Sequence, residues 1–213
     1  MQLYSFFNSS TSYRVRIAMA LKGLSYDYQG INLRAGDQRS EDYQQVNPAR
    51  GVPVLVDDND VSLSQSMAII QYLDDTHGGC CLIPREALAK ARVLEFSNLI
   101  ACDMHPVNNL RILGYLVNNL GADDAQKKEW YCHWIAEGFA AAEKLLERHG
   151  HGAYCFGDEP TLADCCLVPQ VANASRFGCD LSPYKHVMAI YEHCQQHPAF
   201  KEAAPENQPD YIG

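Results

Sequence analysis

The sequence predicts a small α/β domain followed by an all-helical one. Strand and helix signals alternate through residue 79, nearly every segment from residue 87 onward reads as helix, and Gly78-Gly79 marks the break between them. The expected domains are therefore 1–79 and 87–213.

The elements follow in order. Leu3 to Phe7 is a short apolar strand candidate. Residues 12–22 carry Val15, Ala18 and Met19 at helical spacing, with Ile17 and Leu21 beside them, and Gly23 supplies the stop. Tyr26 to Leu33 is a second strand. Strand, helix and strand in this order imply a right-handed parallel crossover. A short polar helix covers 38–45 and ends at Asn47-Pro48. Val52 to Val56 and Val61 to Ser64 are strands joined by a turn at Asp57 to Asp60, hence a hairpin. Ser66 to Thr76 is a helix with Ala68, Ile69, Tyr72 and Leu73 on one face. This is the layout of a thioredoxin-like domain. Further helices are expected over 87–104, 107–119, 124–148, 161–176 and 184–195, with Pro106 interrupting or kinking the first. Thr161-Leu162-Ala163-Asp164 has the form of a capping box, with Asp in place of Glu.

Composition bounds the function. The chain has 213 residues, 47% of them hydrophobic, enough for a real core. With 26 acidic against 17 basic residues, the net charge is −9, which argues against nucleic acid as a main partner. A local basic pocket for a small anionic substrate remains compatible with that balance. No apolar run approaches the ~18 residues that span a bilayer, and the start lacks a basic leader, so no membrane association and a cytoplasmic location are expected. Nine cysteines occur without C-x-x-C and with two adjacent pairs, which reads as mostly buried thiols in a reducing compartment. The eight histidines form no H-E-x-x-H, and no metal site is expected.

Three segments carry chemistry. Ser9-Ser10-Thr11-Ser12 places four hydroxyl residues between a strand and a helix start. One cap explains one of them; a run of four also suits an anion at a helix N-terminus. A thiolate is such an anion. Lowering a thiol pKa of ~8.5 by ~2 units takes ~2.7 kcal/mol. A hydrogen bond to a charged group supplies ~1.5–3 kcal/mol and a helix end ~0.3–1 kcal/mol, so one of each suffices. Val52-Pro53 is either a proline at a strand start or a cis proline exposing the Val52 backbone to a peptide-like ligand. Gln65-Ser66 opens a helix, as a simple cap or as a second anion cradle, for a carboxylate.

Together these segments resemble zeta-class glutathione transferases. The resemblance runs through Ser9 to Ile17, Asn47-Pro48, Val52-Pro53 and Gln65 to Ile70. It continues through Cys102 to Pro106, Asn109, Phe156-Gly157-Asp158, Thr161 to Asp164 and Leu167 to Val171. Arg176-Phe177 and Asp180 to Tyr184 complete it. It implies the glutathione transferase fold, with a glutathione-binding first domain, a substrate-binding helical domain and a homodimer. It implies glutathione as cofactor and cis-trans isomerisation of a small anionic maleyl substrate. That substrate is maleylacetoacetate in tyrosine and phenylalanine breakdown, with maleylpyruvate the close alternative. General conjugation, dehalogenation of α-halo acids and a non-catalytic role on the same fold are the competing readings.

The resemblance also assigns positions. Ser10 falls on the serine that contacts the glutathione sulfur, with Ser9 and Thr11 beside it. Gln38, Val52, Pro53, Gln65 and Ser66 fall where the tripeptide is held. His105 and Asn109 fall where the helical domain meets glutathione, and Arg111 and Arg176 where a substrate carboxylate would sit. Two positions depart from the pattern: Thr11 stands where many members have cysteine, and Asn8 where the motif usually begins with arginine.

Overall fold

The computed structural model describes residues 1–150 and 152–212. The chain forms two compact units. Met1–Leu82 and residues 195–212 make the first, and Ile83–Cys194 the second.

The first unit is built on a four-stranded sheet of order β2-β1-β3-β4. β1 (Gln2–Ser5) pairs parallel with β2 (Asp27–Gly30) and antiparallel with β3 (Val54–Val56). β3 pairs antiparallel with β4 (Ser62–Ser64). The crossover between β1 and β2 is α1 (Ser10–Leu21). A 3-10 turn (Asp37–Arg39) and α2 (Glu41–Val46) lead to β3, and α3 (Ser66–Thr76) follows β4. The expected strand–helix–strand–helix–hairpin–helix order is the observed one.

Leu3, Val15, Ile17, Met19, Leu55, Ile69, Ile70 and Leu73 are fully buried. Each such side chain contributes about 1.5–3 kcal/mol relative to exposure. The α3 face differs from the expected one: Ile69, Ile70, Leu73 and Asp74 point inward, while Ala68 is exposed and Tyr72 half-buried. Asp74 is buried because Lys22 lies 3.2 Å from it, both side chains being 1% exposed, and because it accepts the Leu82 N–H. Lys22 also donates to the Cys80 carbonyl. Those bonds carry the first unit to Leu82, past the glycine pair at which the sequence placed its end.

The tail corrects the expected domain boundary. α10 (Pro198–Ala203) and the residues after it belong to the first unit. The reason is Arg16, a 1% exposed guanidinium in α1. It donates to the carbonyls of Phe6, Phe7 and Ala203 and to the Ser5 hydroxyl. Asp210 in turn accepts from the Phe7 N–H and the Tyr28 hydroxyl, and Tyr211 packs edge-on to Phe7. A buried charge that would cost several kcal/mol alone is satisfied here by backbone from both chain ends.

The second unit is helical: α4 (Ala87–Asn98), a π-helical stretch (Leu99–Met104), α5 (His105–Val107), α6 (Leu110–Leu120), α7 (Asp124–His149), α8 (Leu162–Arg176) and α9 (Lys185–Cys194). Pro106 acts as expected, with a specific outcome. Its ring crowds the carbonyl four residues back, so the preceding turn widens, and the His105 N–H bonds Ile100 five residues back. Met104 then packs so closely on α7 that a Cβ at Gly138 would overlap it. α8 is the central helix, buried from Leu162 to Val171. The capping box at its start forms as expected, with Asp164 accepting the Thr161 N–H at 2.8 Å. No described helix is long and apolar enough to cross a membrane.

All nine cysteines are thiols, but fewer are buried than the sequence implied. Cys155, Cys165, Cys166 and Cys194 are buried, Cys80, Cys132 and Cys179 are half-buried, and Cys81 and Cys102 are exposed.

Candidate active site

The hydroxyl residues belong to the first turn of α1 more than to a loop. Ser9 is the N-cap, and its side chain accepts the Ser12 N–H at 3.2 Å. Thr11 donates to the Val52 carbonyl at 2.8 Å. The Ser9 and Thr11 hydroxyl oxygens are 2.9 Å apart. Since the Thr11 proton lies on Val52, Ser9 must be the donor of that pair. The result is a relay from the Ser12 N–H through Ser9 and Thr11 to Val52. Ser10 lies in the same turn but is only 5% exposed, whereas Ser9 and Thr11 are half-exposed. The relay joins the first two sequence segments, 41 residues apart. The Val52–Pro53 peptide is cis.

The third segment opens α3. Gln65 occupies its N-cap position at φ 76°, ψ 113° and makes no side-chain cap bond. A positive φ costs a non-glycine residue of order 1–3 kcal/mol. It leaves the exposed Gln65 amide turned away from capping, at a helix end rich in N–H donors. Ser66, the first helical residue, is buried. Its hydroxyl accepts from Arg14 Nη1 at 3.4 Å, so its own proton is directed elsewhere. Gln38 sits in the 3-10 turn, where Nε2 reaches the Leu33 carbonyl at 3.4 Å. Its buried Oε1 meets no hydrogen-bond partner among the described residues. An unmet buried acceptor and a donor-rich helix end are groups that a ligand carrying both amide N–H groups and a carboxylate would use, as a tripeptide does.

In the second unit, His105, Asn109 and Arg111 come together at the turn between α5 and α6. Asn109 is the N-cap of α6. Its Oδ1 accepts the Arg111 N–H at 3.1 Å, and its Nδ2 lies 3.3 Å from His105 Nε2. The cap thus explains one atom of Asn109, and the histidine the other. Arg111 is exposed. Arg176 lies in the last turn of α8. It donates to Asn173 at 2.7 Å and lies over the Phe177 ring, 5.8 Å from its centroid.

Sequence reasoning passed over Arg14, Arg16 and Asp210, which set the conformation of these segments. The signal available was Arg-Val-Arg-Ile inside an otherwise apolar helix: charges on a helix buried all round need partners. One group of metal-ligand type, Glu143, Glu147 and His186, has ligand atoms within 4.8 Å of one another. Glu143 is already used there, accepting the His186 and Val187 N–H groups at the start of α9.

Residues 1–75 match the glutathione S-transferase N-terminal domain family and residues 128–197 a C-terminal domain family of the same proteins. The chain is 45% identical to a probable maleylacetoacetate isomerase of Vibrio cholerae, over 98% of this chain and 97% of that one. A solved structure described as holo maleyl pyruvate isomerase, a bacterial glutathione S-transferase in the zeta class, superposes with a TM-score of 0.97. It is 43% identical, with both chains fully covered. The chain belongs to the zeta-class glutathione transferases. A solved maleylacetoacetate isomerase from Methylobacterium extorquens AM1 with bound malonate and GSH superposes with a TM-score of 0.96. It is 34% identical, with full coverage of both chains. A maleylpyruvate isomerase of Ralstonia is 44% identical over 99% of each chain.

Proposed function

We propose that this zeta-class glutathione transferase is a glutathione-dependent cis-trans isomerase of maleylacetoacetate, with maleylpyruvate as the close alternative. The relay that ties the first turn of α1 to Val52 carries the reading, because it places hydroxyl donors and a helix N-terminus beside backbone suited to a peptide. Relatives named for either substrate match at similar identity, so the maleyl group is their common element.

Glutathione would supply, when bound, a thiolate able to add reversibly to a cis double bond so that the bond can rotate. Gln38, the Val52 backbone at Pro53, Gln65 and Ser66 are the residues that would hold the tripeptide. Ser9 is the best placed to stabilise a sulfur anion. It is half-exposed, and its proton rests on Thr11 in a neutral bond worth about 0.5–1.5 kcal/mol, less than the ~1.5–3 kcal/mol of a bond to a charged acceptor. The sequence put Ser10 in that role; its near-complete burial suits it better to shaping the turn. Asn109 and His105 can orient a ligand through the amide they share. Arg111 and Arg176 are exposed cations for substrate carboxylates, and with Asn8 in place of arginine they carry that task.

The protein is proposed to act as a cytoplasmic homodimer, a reading that rests on the family. Size-exclusion chromatography with light scattering tests the assembly. Turnover of both maleyl substrates, with total glutathione followed in parallel, tests the reaction. Isomer formation without loss of glutathione is the expected result, and Arg176→Ala should lower kcat/KM by roughly 10- to 150-fold. Stoichiometric consumption of glutathione would turn the assignment into conjugation, and turnover of a halo acid alone into dehalogenation.

A further inference from the structure

Cys132 and Cys179 lie outside the candidate active-site residues. Cys132 is on α7, next to Tyr131. Cys179 follows the end of α8, and the two Sγ atoms are 3.1 Å apart. Both are held there by backbone. α8 closes with the Gly178 N–H on the Ser175 carbonyl, the Cys179 N–H on the Ala174 carbonyl, and Gly178 at φ 69°. This pair of bonds with a left-handed glycine is a Schellman motif, a rigid helix stop. Tyr131 and Phe177 stack across the same junction, with centroids 3.8 Å apart and ring planes 9° from parallel. Helix and stop therefore present two thiols to each other across 47 residues of chain.

The geometry points to a reversible disulfide site: Cys132 and Cys179 form an intramolecular disulfide when the protein meets a low-molecular-weight disulfide such as oxidised glutathione. The sulfurs need to approach by only about 1 Å to reach bonding distance, within reach of side-chain rotation. The balance is complete. The Cys132 thiol loses its proton, and its sulfur attacks one sulfur of oxidised glutathione. A mixed disulfide forms and one glutathione leaves. The Cys179 thiol then loses its proton and its sulfur attacks that of Cys132, expelling the second glutathione. Two protein thiols are oxidised, and one oxidised glutathione becomes two reduced molecules.

The order of attack follows from the surroundings. Burial pushes the Cys179 thiol up to about 12, with the hydrogen bond and the charge of Cys132 adding to the rise and Lys128 opposing it. Once Cys132 carries glutathione, both of its contributions are removed. The Lys128 ammonium remains beside Gly178. Burial, the largest cause, still holds Cys179 as a thiol, so Cys132 is the sulfur that attacks first and Cys179 the one that resolves the adduct as its proton is lost.

The test is to incubate the protein with oxidised glutathione, quench in acid, alkylate and map the peptides. The expected product is a peptide pair joined through Cys132 and Cys179, lighter by two hydrogens and separated by reductant. In Cys179→Ser the cross-link should vanish and a stable glutathione adduct should collect on Cys132. In Cys132→Ser it should vanish without an adduct on Cys179. Serine keeps the size of each side chain, and a thermal melt of each variant confirms folding. The exposed Cys81 and Cys102 report that the oxidant has acted. If they carry glutathione while Cys132 and Cys179 are both alkylated, or if wild type keeps an unresolved adduct on Cys132, the inference is overturned.

Discussion

The Thr11 hydroxyl donates to the Val52 carbonyl across 2.8 Å, joining the first turn of α1 to the cis-proline loop. One neutral hydrogen bond of this kind is worth about 0.5–1.5 kcal/mol. Thr11→Val keeps the shape and removes the bond, together with the acceptor for Ser9. We expect glutathione affinity to fall by about 2- to 13-fold, with recovery in Thr11→Ser. Isothermal titration with glutathione measures this; a valine variant that binds as tightly as wild type removes the relay from the site.

Ser9 and Ser10 separate by a paired substitution. Ser9→Gly avoids most of the capping loss that alanine would bring, since glycine is itself an acceptable N-cap. Turnover at saturating glutathione should drop by roughly 10- to 150-fold, the cost of one charge-assisted bond. The ultraviolet thiolate signal of bound glutathione should shift to higher pH. Ser10→Ala should act mainly on stability. Should Ser10→Ala alone abolish the thiolate signal, the roles are reversed.

Gln65 stores backbone strain at φ 76°. Gln65→Gly relieves it, because glycine adopts positive φ at no steric cost. The variant should melt higher than wild type by an amount corresponding to about 1 kcal/mol and bind glutathione more weakly. Gain and loss together are the signature of strain kept for binding; a lower melting point would contradict it.

Asp57 and Tyr72 give a pH dependence. The Tyr72 hydroxyl, aided by the Val61 and Asn59 N–H groups, holds the Asp57 carboxyl down to about 2 from an ordinary 3.8. A depressed carboxylate stabilises the fold above its ordinary pKa, and that contribution is lost as pH falls from about 4 towards about 2. Tyr72→Phe should raise the Asp57 midpoint, read by carboxyl carbon NMR, and shift acid unfolding to higher pH. An unmoved midpoint would assign the depression to the backbone N–H groups alone.

Much of this protein was legible in its sequence because the deciding physics is local. Period and punctuation marked the four strands, α1, α3 and the helical half. Thr161 and Asp164 announced a cap that needs only four consecutive residues. The hydroxyl run, Val52-Pro53 and Gln65-Ser66 were recognisable as chemistry, and their order along the chain matched a family. Tertiary structure decided the rest, because it depends on groups far apart in sequence. Arg16 could be buried only once the Ala203 carbonyl came back to meet it, so the tail joined the first unit against the expected boundary. Where the Ser9 proton rests depended on Thr11 finding Val52. Whether two of nine scattered thiols touch depended on where a helix stop laid Cys179 against α7. Spacing along the chain sets none of these distances; they are fixed when buried polar groups must find partners as the apolar faces close.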